Sequence, residues 1–295
     1  MSRLISLSRN VLWQALEHDM VNTAKAVAYS AMLTVFPALL VLTTLFAQVE
    51  DGPTLIGEIR AVFEQVLPAD TMDMLQSTVL TRRIHSIQVI FSATGLSLFA
   101  SLGVTLSLME GFRRAYRLPL AGWGFWSRRA RALLLVPIAL IPLAVATLLV
   151  VFGRDIEGWM VERANHELRH IVLFFWRMVR WTIALGTSVS VLTALYHFGT
   201  RRIESWHRVA LGAAAASLLW FPTTLLFGWY VTRIADYTMF YGSFGAGIAT
   251  LVWLYITAFS VLLGAEINGY FYCARQRQNA LAEPVAALAE IKHRQ

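Results

Sequence analysis

The chain has 295 residues and a formal net charge of +7, with 57% hydrophobic and only 15% charged residues and a mean hydropathy of +0.57. Water-soluble domains carry about a quarter of their residues as charge, so this composition excludes an ordinary soluble globule and indicates an all-α, polytopic membrane helical bundle. The lone Cys273 excludes an internal disulfide framework and a multi-cysteine metal site.

Residues 1–25 show no apolar core followed by a small-residue cleavage site, so no cleavable leader is expected. Leu4, Leu7, Val11, Ala15 and Leu16 instead recur at helical spacing and predict an amphipathic segment on the membrane surface or against the bundle. Residues 26–271 form the membrane domain, with six segments long enough to cross about 30 Å of hydrocarbon. The first span, Ala26 to Val49, is uncharged and contains Pro37. Tyr29, Ser30, Thr34 and Thr43 could line a solute path along it. The following connection carries two apolar faces, Leu55–Ile59–Val62–Phe63–Val66 and Met72–Leu75–Val79. They predict an outer helical hairpin over about 52–82, divided near Pro68.

The second span, Gln88 to Met109, ends on Glu110, with Arg114 four residues on; that spacing makes a self-satisfying pair. The third, Ala132 to Phe152, is interrupted by Pro137 and Pro142. His166 and His170 follow on one helical face with Glu162, a weak metal-binding pattern. The fourth, Ile171 to Phe198, needs Arg177 and Arg180 to snorkel to an interface. The fifth, Val209 to Val231, contains Pro222 and the small-residue tract "LGAAAASLLW", Leu211 to Trp220. The sixth, Ser243 to Phe271, opens on Gly242, Gly245 and Gly247, and these glycines are expected to pack against the tract of the fifth. Pro37 and Pro222 each free a carbonyl one turn upstream, which nearby threonines could help to satisfy.

No charged side chain occurs from Tyr237 through Ala265; then comes Glu266. A carboxylate at the C-terminal end of an apolar helix opposes both the helix dipole and the lipid. It therefore requires a partner, expected to be Arg113, Arg114 or Arg117, or access to water. The residue is either a structural salt bridge or a relay. Asn268, two residues on, points elsewhere. Residues 272–295 form a C-terminal tail.

Arginine placement orients the chain. Arg113, Arg114, Arg117, Arg128, Arg129 and Arg131 follow the second span, Arg201, Arg202 and Arg208 follow the fourth, and Arg275 and Arg277 follow the sixth. Acids dominate the alternate connections, so both termini are placed in the cytoplasm. The basic groups sit beside spans, where lipid accounts for them, and no specific nucleic acid is indicated. Metalloprotease, phosphate-loop, dinucleotide and nucleophile-elbow motifs are absent, so no catalytic residue, cofactor or metal is assigned. Membrane lipids are the expected partners, with a homo-oligomer or an envelope protein left open.

Three stretches carry a family resemblance: "AYSAMLTVFPALLVL", "RRIESWHRVALGAAAASLLW" and "YGSFGAGIATLVWLYITAFSVLLGAEINGYF". The last includes Tyr241–Gly242–Ser243, Trp253–Leu254–Tyr255, and Gly264–Ala265–Glu266 with Asn268. They resemble the YihY/BrkB family of bacterial inner-membrane proteins over about residues 10–275. The resemblance implies six spans, cytoplasmic termini and a shared bundle. Gly199 stands where the family often has proline after the fourth span, which predicts a looser turn. Family members once carried a ribonuclease label. Hydrolysis of RNA needs a metal cluster or acid–base pair beside an electropositive groove, and the sequence offers neither. The expected function is transport or export of a lipid or other envelope component; a scaffold for an envelope complex is the alternative.

Overall fold

The computed structural model describes residues 2–46, 87–119, 124–142, 169–201, 203–233 and 245–293. All regular structure among them is helical. Helix α1 spans Ser2–Glu17, α2 Met20–Phe46 and α3 Ile87–Ala115. The described turns of α4 cover residues 125–142. Helix α5 spans Arg169–Gly199, α6 Trp206–Arg233 and α7 Gly245–His293. The predicted outer hairpin, Gly242, the end of the third span and the His166–His170 pattern lie outside the described residues.

Among the described residues, four helical stretches are long and apolar enough to cross a membrane: Phe91–Ala115, Phe174–Gly199, Trp206–Val231 and Gly247–Leu281. The chain is thus an all-α, multi-pass bundle. Hydrocarbon offers no partner to a peptide group, so helices that satisfy their own backbone are the expected solution. Trp126, Trp181, Trp206 and Trp229 lie exposed on its outside, as do Phe91, Phe99, Leu218 and Leu225. In water such a surface would aggregate; in a bilayer it is solvated.

Helix α7 is central and packs on α1, α2, α3 and α6, while α2 pairs closely with α3 and α5 with α6. The main core joins Val11 and Ala15 of α1, Met20, Ala24 and Val27 of α2, Leu108 and Phe112 of α3, and Leu262 and Ala265 of α7. A smaller cluster seats Ala132 and Leu135 of α4 on Met109. Helix α1 therefore docks on the bundle through Val11 and Ala15. Leu16, placed on the same face by its spacing, is exposed beside Leu12 and Trp13.

Two expectations need correction, and the C-terminal tail proves helical. The segment 272–295 continues α7 as helix to His293, because its Ala-, Leu-, Glu- and Gln-rich sequence favours helix. The small-residue tract of α6 does not meet the start of α7. Successive helices run antiparallel, so the beginning of α6 reaches the far part of α7: Gly212 faces Gly264, and a Cβ on Gly212 would lie 2.2 Å from the Gly264 carbonyl oxygen. Gly245 is buried at the other end of α7, and Gly247 approaches Met32 of α2 instead. Finally, both prolines sit inside continuous helices. The Thr223 hydroxyl donates to the Leu219 and Trp220 carbonyls and Thr34 to Ser30, so neither hydroxyl bonds the carbonyl of Leu218 or Leu33 that its proline frees.

Candidate functional site

The ion pairs among the described residues collect at one end of the bundle, where α1 turns into α2, α3 ends, α4 and α6 begin, and α7 carries the stretch Gly264–Gly269. The turn is made by His18 and Asp19, with Asp19 in the left-handed region at φ 61°. Its Oδ1 accepts from Asn22 Nδ2 at 2.6 Å, and the Thr23 hydroxyl donates to its carbonyl at 3.0 Å. These bonds fix the start of α2 and aim the His18 ring at α7.

Glu266 is completely buried, and its Oε1 lies 2.8 Å from His18 Nδ1. Its second oxygen, Oε2, is buried without a hydrogen-bond partner. The expected arginine is thus replaced by a histidine from the N-terminal turn. Arg113 and Arg114 are engaged elsewhere, on Glu110. Arg113 donates to Glu110 at 2.6 and 3.1 Å, Arg114 at 3.2 Å and Arg128 of α4 at 3.3 Å. The i,i+4 pair read from the sequence is therefore one edge of a cluster of three arginines around one carboxylate. Arg114 extends the cluster to Asp19 Oδ2 at 3.3 Å and to the His18 carbonyl at 3.5 Å, so the same turn contacts both glutamates.

Glu110, Arg114, Arg128 and Asp19 line an open cleft of about 340 Å³ between α2, α3 and α4, completed by Asn22, Thr23 and Ser107. Charges of both signs face it. Arg114 and Arg128, each about one-third exposed, balance Glu110 and Asp19 along its lining, and Arg113 adds a third cation on Glu110.

Asn268 acts apart from this cleft. Its amide accepts from Gly212 N–H and donates to the Val209 carbonyl, both at 2.9 Å, and so clamps α7 to the backbone of α6. The approach demands glycine: a Cβ on Gly264 would lie 2.5 Å from both Gly212 O and the Tyr196 hydroxyl, and one on Gly269 would lie 2.2 Å from Ala115 O. Tyr196, fully buried on α5, donates to Val261 O at 2.6 Å and meets Phe112 edge-on at 5.0 Å. Tyr196→Phe keeps the ring contact but removes the hydroxyl that donates to the Val261 carbonyl, and should lower stability in detergent by about 1 kcal/mol, read as a lower melting temperature with unchanged elution volume.

The remaining predicted residues fall outside the site. Tyr29 is 63% exposed on α2 and does not line the cleft; Tyr255 stacks on Phe259 at the core edge. Sequence reasoning missed Glu204, whose almost fully buried carboxylate accepts from Arg275 at 3.0 Å and lies 4.0 Å from Arg208. The available clue was a single acid in the arginine-rich "RRIESWHR". His197 Nδ1 lies 3.0 Å from the Glu204 carbonyl and its ring rests on Trp206. Gly199, read as a looser turn, ends α5 against the Phe112 ring.

Comparison with known proteins agrees with this architecture. The family model described as Virulence factor BrkB matches residues 11–287. A putative ribonuclease-like protein, YfkH of Bacillus subtilis, is 27% identical over 86% of this chain and 91% of its own length. A UPF0761 membrane protein of Aromatoleum aromaticum is 26% identical over 92% of this chain and 68% of its own, and one of Chromohalobacter salexigens is 25% identical over 86% and 60%. No solved structure matches. With the family model covering nearly the whole of this helical bundle, the chain belongs to the BrkB family of multi-pass proteins of the bacterial inner membrane.

Proposed function

We propose that the protein transports or exports an amphiphile, a lipid or another envelope component, whose charged headgroup enters the cleft between α2, α3 and α4. The cleft's mixed charge is the observation that carries this reading. Arg114 and Arg128 keep donors beyond those spent on Glu110, while Glu110 and Asp19 offer acceptors to hydroxyl or ammonium groups. In this proposal the chain crosses the membrane six times with both termini in the cytoplasm, so the arginine-rich end faces the inner leaflet, in keeping with the arginine asymmetry.

The proposal includes no nuclease step. A hydrolytic nuclease needs a free acid or a metal-binding carboxylate, and Glu110 is held by three guanidinium groups. A scaffold role is the competing reading. The test is transbilayer movement of a labelled phospholipid in vesicles reconstituted with the full chain. Wild type should accelerate it, and Arg128→Gln, which removes one charged donor at the cleft rim, should slow it about tenfold with little change in melting temperature. Vesicles containing wild type that move lipid no faster than protein-free ones would favour the scaffold.

A further inference from the structure

We propose that Glu266 is a proton-binding site that exchanges with water through His18. As a coupling element it rests on the transport reading; as chemistry it is testable without any substrate. Three features point to it.

First, the partner is a histidine. A structural ion pair on this helix could have used an arginine, and Arg113, Arg114 and Arg128 lie at the same end of the bundle, yet all three are committed to Glu110. Histidine is the side chain that can both accept and release a proton near neutral pH. Second, burial is graded. The Glu266 side chain is 0% exposed and that of His18 is 15% exposed, so the histidine joins the interior carboxyl to the surface of the bundle. Third, the carboxyl is only half satisfied: Oε2 is buried with no partner. A permanently ionised carboxylate buried in that way is costly, whereas a group that takes up and gives off a proton tolerates it.

The charged surroundings are few. Arg117, just beyond α3, acts on Glu266 through space. Arg114 reaches the pair by way of the His18 carbonyl, and Asp19 sits next in the turn. Helix α6 presents to this part of α7 the uncharged backbone around Gly212. None of these groups shares the 2.8 Å contact between His18 Nδ1 and Glu266 Oε1.

The relay is a balanced exchange. With the proton on Glu266, the Oε1–H bond breaks and an Nδ1–H bond forms on neutral His18, leaving a carboxylate and an imidazolium. The imidazolium then releases its Nε2 proton to water and remains the Nδ1–H tautomer, donating to the carboxylate. Uptake is the reverse: water protonates Nε2, and the Nδ1 proton passes to Oε1. One proton moves between water and Glu266, and the ring need not rotate.

Infrared difference spectroscopy on the full chain in lipid nanodiscs, during a pH titration and after transfer to heavy water, reads both residues. Wild type should show a titrating carbonyl band of a protonated carboxyl that is lost in Glu266→Gln and displaced in Glu266→Asp. The aspartate variant serves where the glutamine variant does not fold. His18→Gln should keep the band and slow its deuterium exchange about tenfold or more. A band set unchanged by both Glu266 variants, or exchange equally fast without His18, overturns the proposal. Failure of lipid movement with the band intact would sink the transport reading alone.

Discussion

Gly264→Val should fail to give a folded, monodisperse protein in detergent, and Gly212→Ala should be nearly as damaging. The first added Cβ would lie 2.5 Å from the Gly212 carbonyl oxygen and 2.6 Å from Ala216 Cβ, the second 2.2 Å from the Gly264 carbonyl. The obstacle is largely backbone, so no rotamer relieves it and α6 must move away from α7. That separation would also break the two Asn268 bonds to α6 and crowd the Tyr196 hydroxyl that donates to Val261. Overpacking alone costs about 1–3 kcal/mol, and each lost buried hydrogen bond about 1 kcal/mol. The sum for Gly264→Val, about 5 kcal/mol, is of the order of a whole domain's stability. Gly186→Ala and Gly95→Ala are the controls, since nothing lies within 4 Å of an added Cβ at either position. They should be neutral or stabilising by about 0.5–1 kcal/mol, because alanine loses less backbone freedom than glycine. Melting temperature and elution volume across the four variants check the ranking. Equal behaviour of Gly264→Val and Gly186→Ala would refute the close crossing.

Glu110→Ala should be the most damaging single loss of charge. It leaves Arg113, Arg114 and Arg128 facing one another, with Asp19 holding only Arg114. Removing one partner of a buried pair costs about 3–5 kcal/mol. Glu110 is 22% exposed and its arginines 19–34%, so water offsets part of that and about 2–3 kcal/mol is expected. Glu110→Gln should recover little, since an amide oxygen can accept one or two of the bonds but cannot balance three cations. The diagnostic variant is Glu110→Gln combined with Arg113→Gln. Removing one cation with the anion should restore stability beyond the sum of the single effects, a coupling of about 1–2 kcal/mol in a double-mutant cycle. Strict additivity would mean that the cluster is too well hydrated to matter.

A helical membrane bundle and the places of its apolar helices can be read from residue order alone. In hydrocarbon the backbone must satisfy itself, so a long uncharged stretch has few alternatives to helix. The predicted second, fourth and fifth spans accordingly fall within α3, α5 and α6, and the sixth, from Gly245 onward, within the longer α7. The sequence also singled out Glu110, Glu266 and Asn268, because polar groups are conspicuous where charge is scarce. Only the tertiary structure decided what these groups touch. His18 and Glu266 are 248 positions apart, and nothing local in either segment distinguishes a histidine partner from the nearer-seeming arginines. Arg128 reaches Glu110 from a separate helix across 18 positions, which turns an ordinary i,i+4 pair into a four-residue cluster at an open cleft. The glycines show the same division. Composition identified small residues as contact points, but which glycine meets which depends on the antiparallel course of α6 and α7. That course brings Gly212 to Gly264 and leaves Gly245 at the opposite end of the helix. Hydropathy is a property of each segment and survives in the sequence; register between segments arises only when backbones approach closely enough for a single Cβ to forbid the contact.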